Sequence, residues 1–207
     1  MIKEACVETL QQAINAQRND VNRIELCGRL DLDGLTPDIA VAKEVVHKLD
    51  IPIHVMIRPR GGDFVYTLDE ILEMETEIEQ FKSMGIDGVV LGVLTKDGEI
   101  DTENLERLVA VAKPLNVVFH KAFDELSDLK TGLQQLMNID GITHVLTSGG
   151  CATASEGSEI LKDLVKIADG KIQIISAGKI TDRNINELHT LIDGEAYHGK
   201  LIVGSLE

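Results

Sequence analysis

The run Ile2-Lys3-Glu4-Ala5-Cys6, continued by Val7-Glu8-Thr9, decides the fold. It reads as a short strand. A dinucleotide-binding doubly wound sheet would carry a GxGxxG turn at this point, and none follows. A nucleotide cofactor is therefore not expected. Outward from this strand, β-type runs recur at Arg23 to Cys27, Ile53 to Arg58, Gly88 to Gly92, Val117 to His120, His144 to Thr147, Ile172 to Ser176 and Leu201 to Gly204. With the first they make eight. The segments between them hold apolar residues at helical spacing: Ile39/Ala42/Val46/Leu49, Ile71/Met74/Ile78/Phe81, Leu105/Leu108/Ala112 and Leu161/Leu164/Ala168. An unbroken series of eight βα units with right-handed crossovers predicts a closed α/β barrel, the TIM (β/α)8 type, as one domain over residues 1–207.

Local punctuation agrees. Thr36-Pro37 reads as an N-cap with proline at the first helical position, Thr67 to Glu70 as a capping box, and Gly85 as a helix end. Aromatic residues make up only 3% of the chain and Trp is absent, so Val, Ile, Leu and Ala must build the core. The formal net charge of -15 opposes attraction to phosphate backbones or anionic lipid, which excludes nucleic acid as an expected partner. No apolar run is long enough for a membrane helix, and the N-terminus lacks a secretory pattern. The expected location is cytoplasmic. There the three cysteines, Cys6, Cys27 and Cys151, would stay reduced.

In such a barrel the working groups stand at the C-terminal ends of the strands. The first strand ends Glu4-Ala5-Cys6 and the second Glu25-Leu26-Cys27, a carboxylate-x-thiol pattern given twice. Residues two apart share a face, so at equal height on strands about 4.8 Å apart Cys6 and Cys27 could bring their sulfurs together, a donor pair suited to Cu(I). The bland alternative for each is a small apolar filler. Arg58 and Arg60 flank Pro59 ahead of Gly61-Gly62-Asp63-Phe64 and read as an anion clamp, or as structural ion pairs to Glu4 or Glu25. His120, followed by Lys121 and Asp124, is the best acid-base candidate, with Glu25 and Asp124 as further catalytic candidates. His54 and His144 begin strands and read as structural. Ser148 and Gly149 after strand six, Gly178 in Ser176-Ala177-Gly178-Lys179, and Gly204-Ser205 are candidate contacts for an anionic ligand.

Taken together, Glu4-Ala5-Cys6, Arg23-Ile24-Glu25-Leu26-Cys27, Gly34-Leu35-Thr36-Pro37, Met56-Ile57-Arg58-Pro59-Arg60-Gly61-Gly62-Asp63-Phe64, Phe119-His120-Lys121-Ala122-Phe123-Asp124 and Leu146-Thr147-Ser148-Gly149-Gly150 resemble the CutC copper homeostasis family over most of the chain. The resemblance implies a TIM barrel and a role in copper handling, with Cys6 and Cys27 as Cu(I) ligands. One departure stands out, since the family commonly carries a triple-glycine turn where this chain has Ala177-Gly178-Lys179-Ile180. Two functions follow as expectations. One is cytosolic copper-ion binding through the rim thiols. The other is a lyase- or isomerase-type barrel enzyme acting on a small phosphorylated or carboxylated metabolite, gripped by Arg58 and Arg60 while His120 or Glu25 moves a proton. A homodimer is the expected assembly.

Overall fold

The computed structural model describes residues 1–207. Eight parallel strands close into a barrel in sequence order: β1 (Ile2–Val7), β2 (Arg23–Leu26), β3 (Ile53–Met56), β4 (Gly88–Leu91), β5 (Asn116–Phe119), β6 (Ile142–Thr147), β7 (Gln173–Ser176) and β8 (Ala196–Gly199). Seven helices separate them: α1 (Leu10–Arg18), α2 (Ile39–Lys48), α3 (Leu68–Lys82), α4 (Thr102–Ala112), α5 (Leu129–Met137), α6 (Ser158–Ala168) and α7 (Ile185–Ile192). The architecture is the expected single-domain TIM barrel. One strand is misplaced by the sequence reading, because β8 is Ala196–Gly199 and not Leu201–Gly204. Its register Ile2↔Ala196 through Ala5↔Gly199 closes the barrel against β1, and Leu201 and Gly204 make only isolated bridges beyond it.

Strand alternation sorts the side chains. Ala5 and Val7 of β1 and Ile24 and Leu26 of β2 face the helices, in a cluster of 50 buried residues that includes all four phenylalanines. Burial of that shell is the main force holding the fold. The inward set is much smaller, with Cys6, Cys27, Met56, Val90, Val118, Leu146, Ile175, Ala177 and Ala196 packed inside the barrel. Below them the barrel floor is polar. Glu4 forms a buried ion pair with Arg23, His54 Nδ1 lies 3.6 Å from Glu4 Oε2, and His144 Nε2 stands 3.4 Å from Arg23 Nη1. Burial, with the charge of Arg23 beside it, pushes His144 down to about 3, so it is a neutral acceptor. His54 and His144 thus belong to the floor, away from the rim.

Helix starts follow local chemistry. The Thr67/Glu70 capping box forms as expected at the head of α3. The cap of α2 differs, because Asp38 accepts from the Ala40 N–H and takes the place expected of Thr36. Thr36 is occupied elsewhere: its hydroxyl accepts from the Arg58 N–H at 2.9 Å and donates to Glu77 at 2.8 Å, tying the loop after β2 to the end of β3.

Candidate functional site

The strand ends surround a cavity of about 450 Å³ whose wall includes Cys6, Glu25, Cys27, Arg58, His120 and His198. These come from β1, β2, β3, β5 and β8. The two thiols are not level as expected, since Cys6 pairs in register with Glu25 and Cys27 stands two residues further up its strand. The inward tilt of the side chains nevertheless brings Sγ to Sγ at 3.9 Å. Cys27 Sγ donates to Glu25 Oε1 at 3.0 Å, while Glu25 Oε2 has no hydrogen-bond partner although it is fully buried. Cys6, Glu25 and Cys27 form one three-donor group, and Glu4, Glu25 and His198 form a second that shares Glu25.

His198 governs the charge of this half. Its Nδ1 lies 2.8 Å from Glu4 Oε1 and 3.6 Å from Glu25 Oε2. Burial opposes its protonation, but the surrounding Glu25, Cys6 and Glu4 outweigh it and hold the imidazole well above its usual range. Burial likewise opposes ionisation of Glu4, yet hydrogen bonds from the His198 and His54 sides and the Arg23 charge hold that carboxyl well below the ordinary range. Glu25 lacks such support, and burial pushes it up to about 8. Of the coupled thiols Cys6 ionises first, drawn down to about 5 by the hydrogen bond with Cys27 and by His198 and Lys200. Cys27 is raised as its neighbour becomes anionic.

The other half is built on Arg58, His120 and Phe64. Arg58 is 6% exposed, and its guanidinium donates to four backbone carbonyls, those of Leu32, Asp33, Gly34 and Gly62. None of these bonds goes to a carboxylate, and its Nε is unpartnered. The ring of Phe64 lies 4.8 Å from the guanidinium carbon and 4.9 Å from the His120 ring. His120 Nδ1 accepts from the Ala122 N–H at 3.1 Å, which puts the remaining proton on Nε2, where it has no partner. Burial holds His120 neutral, down to about 3.

The expected two-arginine clamp does not form at the cavity. Arg60 is turned outward, paired with Glu70 and Asp63 and laid over Tyr66, and it is not part of the cavity wall. Asp124 does reach the wall, but its carboxylate accepts from Thr147 Oγ1, the Ser148 N–H and hydroxyl and the Gly150 N–H. It fastens the short 3-10 turn Lys121–Glu125 to the loop after β6, and these bonds occupy the lone pairs that a general base would need. Ser148 and Gly149 are consumed in the same knot and do not face the cavity. Gly178, at φ +105°, is pressed against the next loop, where an added Cβ would meet Ala154 N at 2.8 Å. Gly204-Ser205 also lies off the cavity wall.

The sequence alone does not single out the wall residues Leu30, Asp33, Glu125, His198 and Lys200, and of these His198 and Lys200 bear on the charge of the thiol half. Both lie on or just past β8, whose true position puts His198 beside Glu4 and turns it inward. The alternating run Ala196-Tyr197-His198-Gly199 was the available signal.

A parallel eight-stranded barrel with a thiol-carboxylate-imidazole cluster at the C-terminal rim defines the class. Within it, the CutC family model matches residues 1–202, and this chain belongs to the CutC family. It is 43% identical over 187 residues to the human copper homeostasis protein cutC homolog, covering 90% of this chain and 68% of that one. It is 44% identical over 185 residues to the CutC family protein of Histophilus somni, covering 89% and 76%. A solved CutC structure from Streptococcus agalactiae superposes with a TM-score of 0.92 at 35% identity, over 98% of this chain and 99% of that one. A dihydrodipicolinate synthase from Bacillus anthracis, 12% identical with a TM-score of 0.67 over 98% of this chain and 70% of that one, shares the barrel alone.

Proposed function

We propose that this protein works in copper homeostasis by binding Cu(I) through Cys6 and Cys27, in a reducing cytoplasm. The observation that carries this reading is the pair of free, buried sulfurs 3.9 Å apart on the cavity wall. Soft thiolates select Cu(I), and the one that ionises readily, Cys6, supplies the first ligand before the metal displaces the proton of the second. The names of the human and mouse relatives agree with this role. Anaerobic Cu(I) titration against a chromophoric chelator tests it. Cys6→Ser and Cys27→Ser should each weaken Cu(I) binding by at least about 100-fold, because the remaining single thiol cannot bridge the ion. A Cys6→Ser/Cys27→Ser protein that competes for copper as well as the parent refutes the reading.

A second reading rests on Arg58, a buried cation bonded only to neutral carbonyls. Burying a charge without a counter-charge is costly, and a small carboxylated or phosphorylated metabolite in the cavity would supply one. The neighbouring Nε2–H of His120 offers a second donor, and Glu25, protonated near neutral pH, is placed to act as an acid. Thermal-shift measurements with organic acids and phosphosugars should find a ligand whose stabilisation disappears in Arg58→Gln and His120→Gln. A ligand shift retained in both variants rules this reading out.

A further inference from the structure

We propose that Cys6, Cys27 and Glu25 form a three-donor site for a divalent cation of the Zn²⁺ class, with a fourth coordination position left to the cavity. The proposal rests on the thiol pair being a metal site, as in the copper reading, and goes beyond it in the ion, the third ligand and the open position.

The argument starts from the sulfur separation. Zn–S bonds of about 2.3 Å at the tetrahedral angle set two sulfurs roughly 3.8 Å apart, whereas a linear S–metal–S unit with the same bonds would hold them about 4.6 Å apart. The observed 3.9 Å, the length of a hydrogen bond between the two thiols, is close to the tetrahedral edge, so a tetrahedral ion could enter with little movement of the sulfurs. Glu25 supplies the third corner. Its Oε1 is 3.0 Å from Cys27 Sγ, and one donor atom from each of the three residues lies within 4.8 Å of the others. An edge between sulfur and oxygen donors around Zn²⁺ is about 3.5 Å, so on the Cys27 side the carboxylate needs to retreat by about half an ångström, and on the Cys6 side it already lies within 4.8 Å.

A second, independent feature points to a ligand at the same place. Glu25 is 2% exposed and its Oε2 has no hydrogen-bond donor, a cost that a bound cation would remove. His198 is not among the three grouped donors, and its Nδ1 lies 2.8 Å from Glu4. Once the entering metal has displaced their protons, the two thiolates and the carboxylate supply the charge a dication needs, and the carboxylate oxygen is a donor that Cu(I), held by the two sulfurs, leaves unused. With three protein ligands on one side and the cavity on the other, the remaining position is free for water or an oxygen of a small ligand, the pattern of a metal that acts on what it binds.

Anaerobic titration with Co²⁺ as the spectroscopic probe, followed by Zn²⁺ competition and compared with Cu(I) titration of the same preparation, tests this. One Co²⁺ per chain should bind with sulfur-to-cobalt charge-transfer absorption and intense tetrahedral d–d bands, and Zn²⁺ should bleach both. Glu25→Gln, which keeps the shape and removes the anionic donor, should lower Co²⁺ affinity at least tenfold more than it lowers Cu(I) affinity. Tight Cu(I) binding with no tetrahedral Co²⁺ spectrum overturns this proposal and leaves the copper reading standing, whereas binding of neither ion removes both. A Co²⁺ spectrum unchanged by Glu25→Gln also overturns it. Should that variant not fold, the parent spectrum decides alone, since weak octahedral bands contradict the three-donor geometry.

Discussion

Gly92 shows how much of the site is decided by single atoms. It follows β4, and a Cβ there would lie 2.5 Å from both Cε1 and Nδ1 of His120. The imidazole cannot step aside, because Nδ1 holds the Ala122 N–H and the Phe64 ring stands 4.9 Å away. Gly92→Ala should therefore cost about 1–3 kcal/mol through overpacking. Gly61→Ala, where the added carbon meets only Leu32 Cβ at 3.8 Å, is the control and should be nearly neutral. Urea unfolding midpoints compare the two, and equal midpoints would show that His120 is not locked. Residue chemistry is partly legible in the sequence. Cys6, Cys27, Glu25, Arg58 and His120 could be picked out because their strands ended in polar residues where apolar ones would have served. A sequence cannot tell which of two arginines flanking a proline turns inward. Arg60 takes the structural ion-pair alternative, with Glu70 and Asp63, in place of Glu4 or Glu25, drawing it outward.

At the scale of elements, seven of the eight strands lie where alternation and apolar runs put them, to within a residue or two at their ends, and β8 is the exception. Leu201-Ile202-Val203 is the more strand-like string by composition, yet Ala196–Gly199 is the segment that pairs with both β7 and β1. Tertiary closure overrides local propensity there. The misplacement hid His198, and with it the reason Glu4 and Glu25 differ: the first shares His198 and Arg23 and stays ionised, while the second has only the weak Cys27 thiol donor and is driven up by burial. The loops follow a similar logic. Thr36 looked like a cap because Pro37 follows it, but its hydroxyl can accept from Arg58 and donate to Glu77 only if the helix starts later, at Asp38. Glycines after β6 and β7 suggested a phosphate cradle, and they instead permit close packing between loops, with Asp124 taking the donors an anion would have used. Turn chemistry is legible in a sequence, whereas the identity of the acceptor is a property of the assembled barrel.

At the scale of the whole molecule, three histidines, His120, His144 and His198, divide by charge, and the division bears on how stability depends on pH. His120 and His144 are held neutral by burial, each down to about 3 from an ordinary value of 6.5. As pH falls below about 6.5 the unfolded chain takes up protons on both, while the folded chain does not until about 3. Stability therefore falls over that window, by roughly 1.4 kcal/mol per pH unit for each group. His198 works with the opposite sign, since its folded value is raised: its contribution is complete below 6.5 and is lost as pH rises through the folded value. Glu77, pushed up to about 7 by burial, likewise stabilises most below its unfolded value near 4.5 and loses that contribution as pH rises towards 7. Over the window below pH 6.5 Glu25, raised to about 8, opposes the histidines together with Glu77, whereas Cys6, lowered to about 5, acts with them. Three groups outweigh two, so acidification from pH 6.5 towards 5 should weaken the fold by the equivalent of about one proton. Denaturant unfolding measured from pH 7 to 4 should give that slope, and His120→Gln should make it shallower by one proton whatever its effect on absolute stability. The direct check is the His120 Cε1–H resonance, expected to stay at its neutral position down to pH 4. An imidazole at this position that titrates near pH 6 would mean that water reaches Nε2, and the dry wall formed by Phe64, Arg58 and His120 would no longer account for the site.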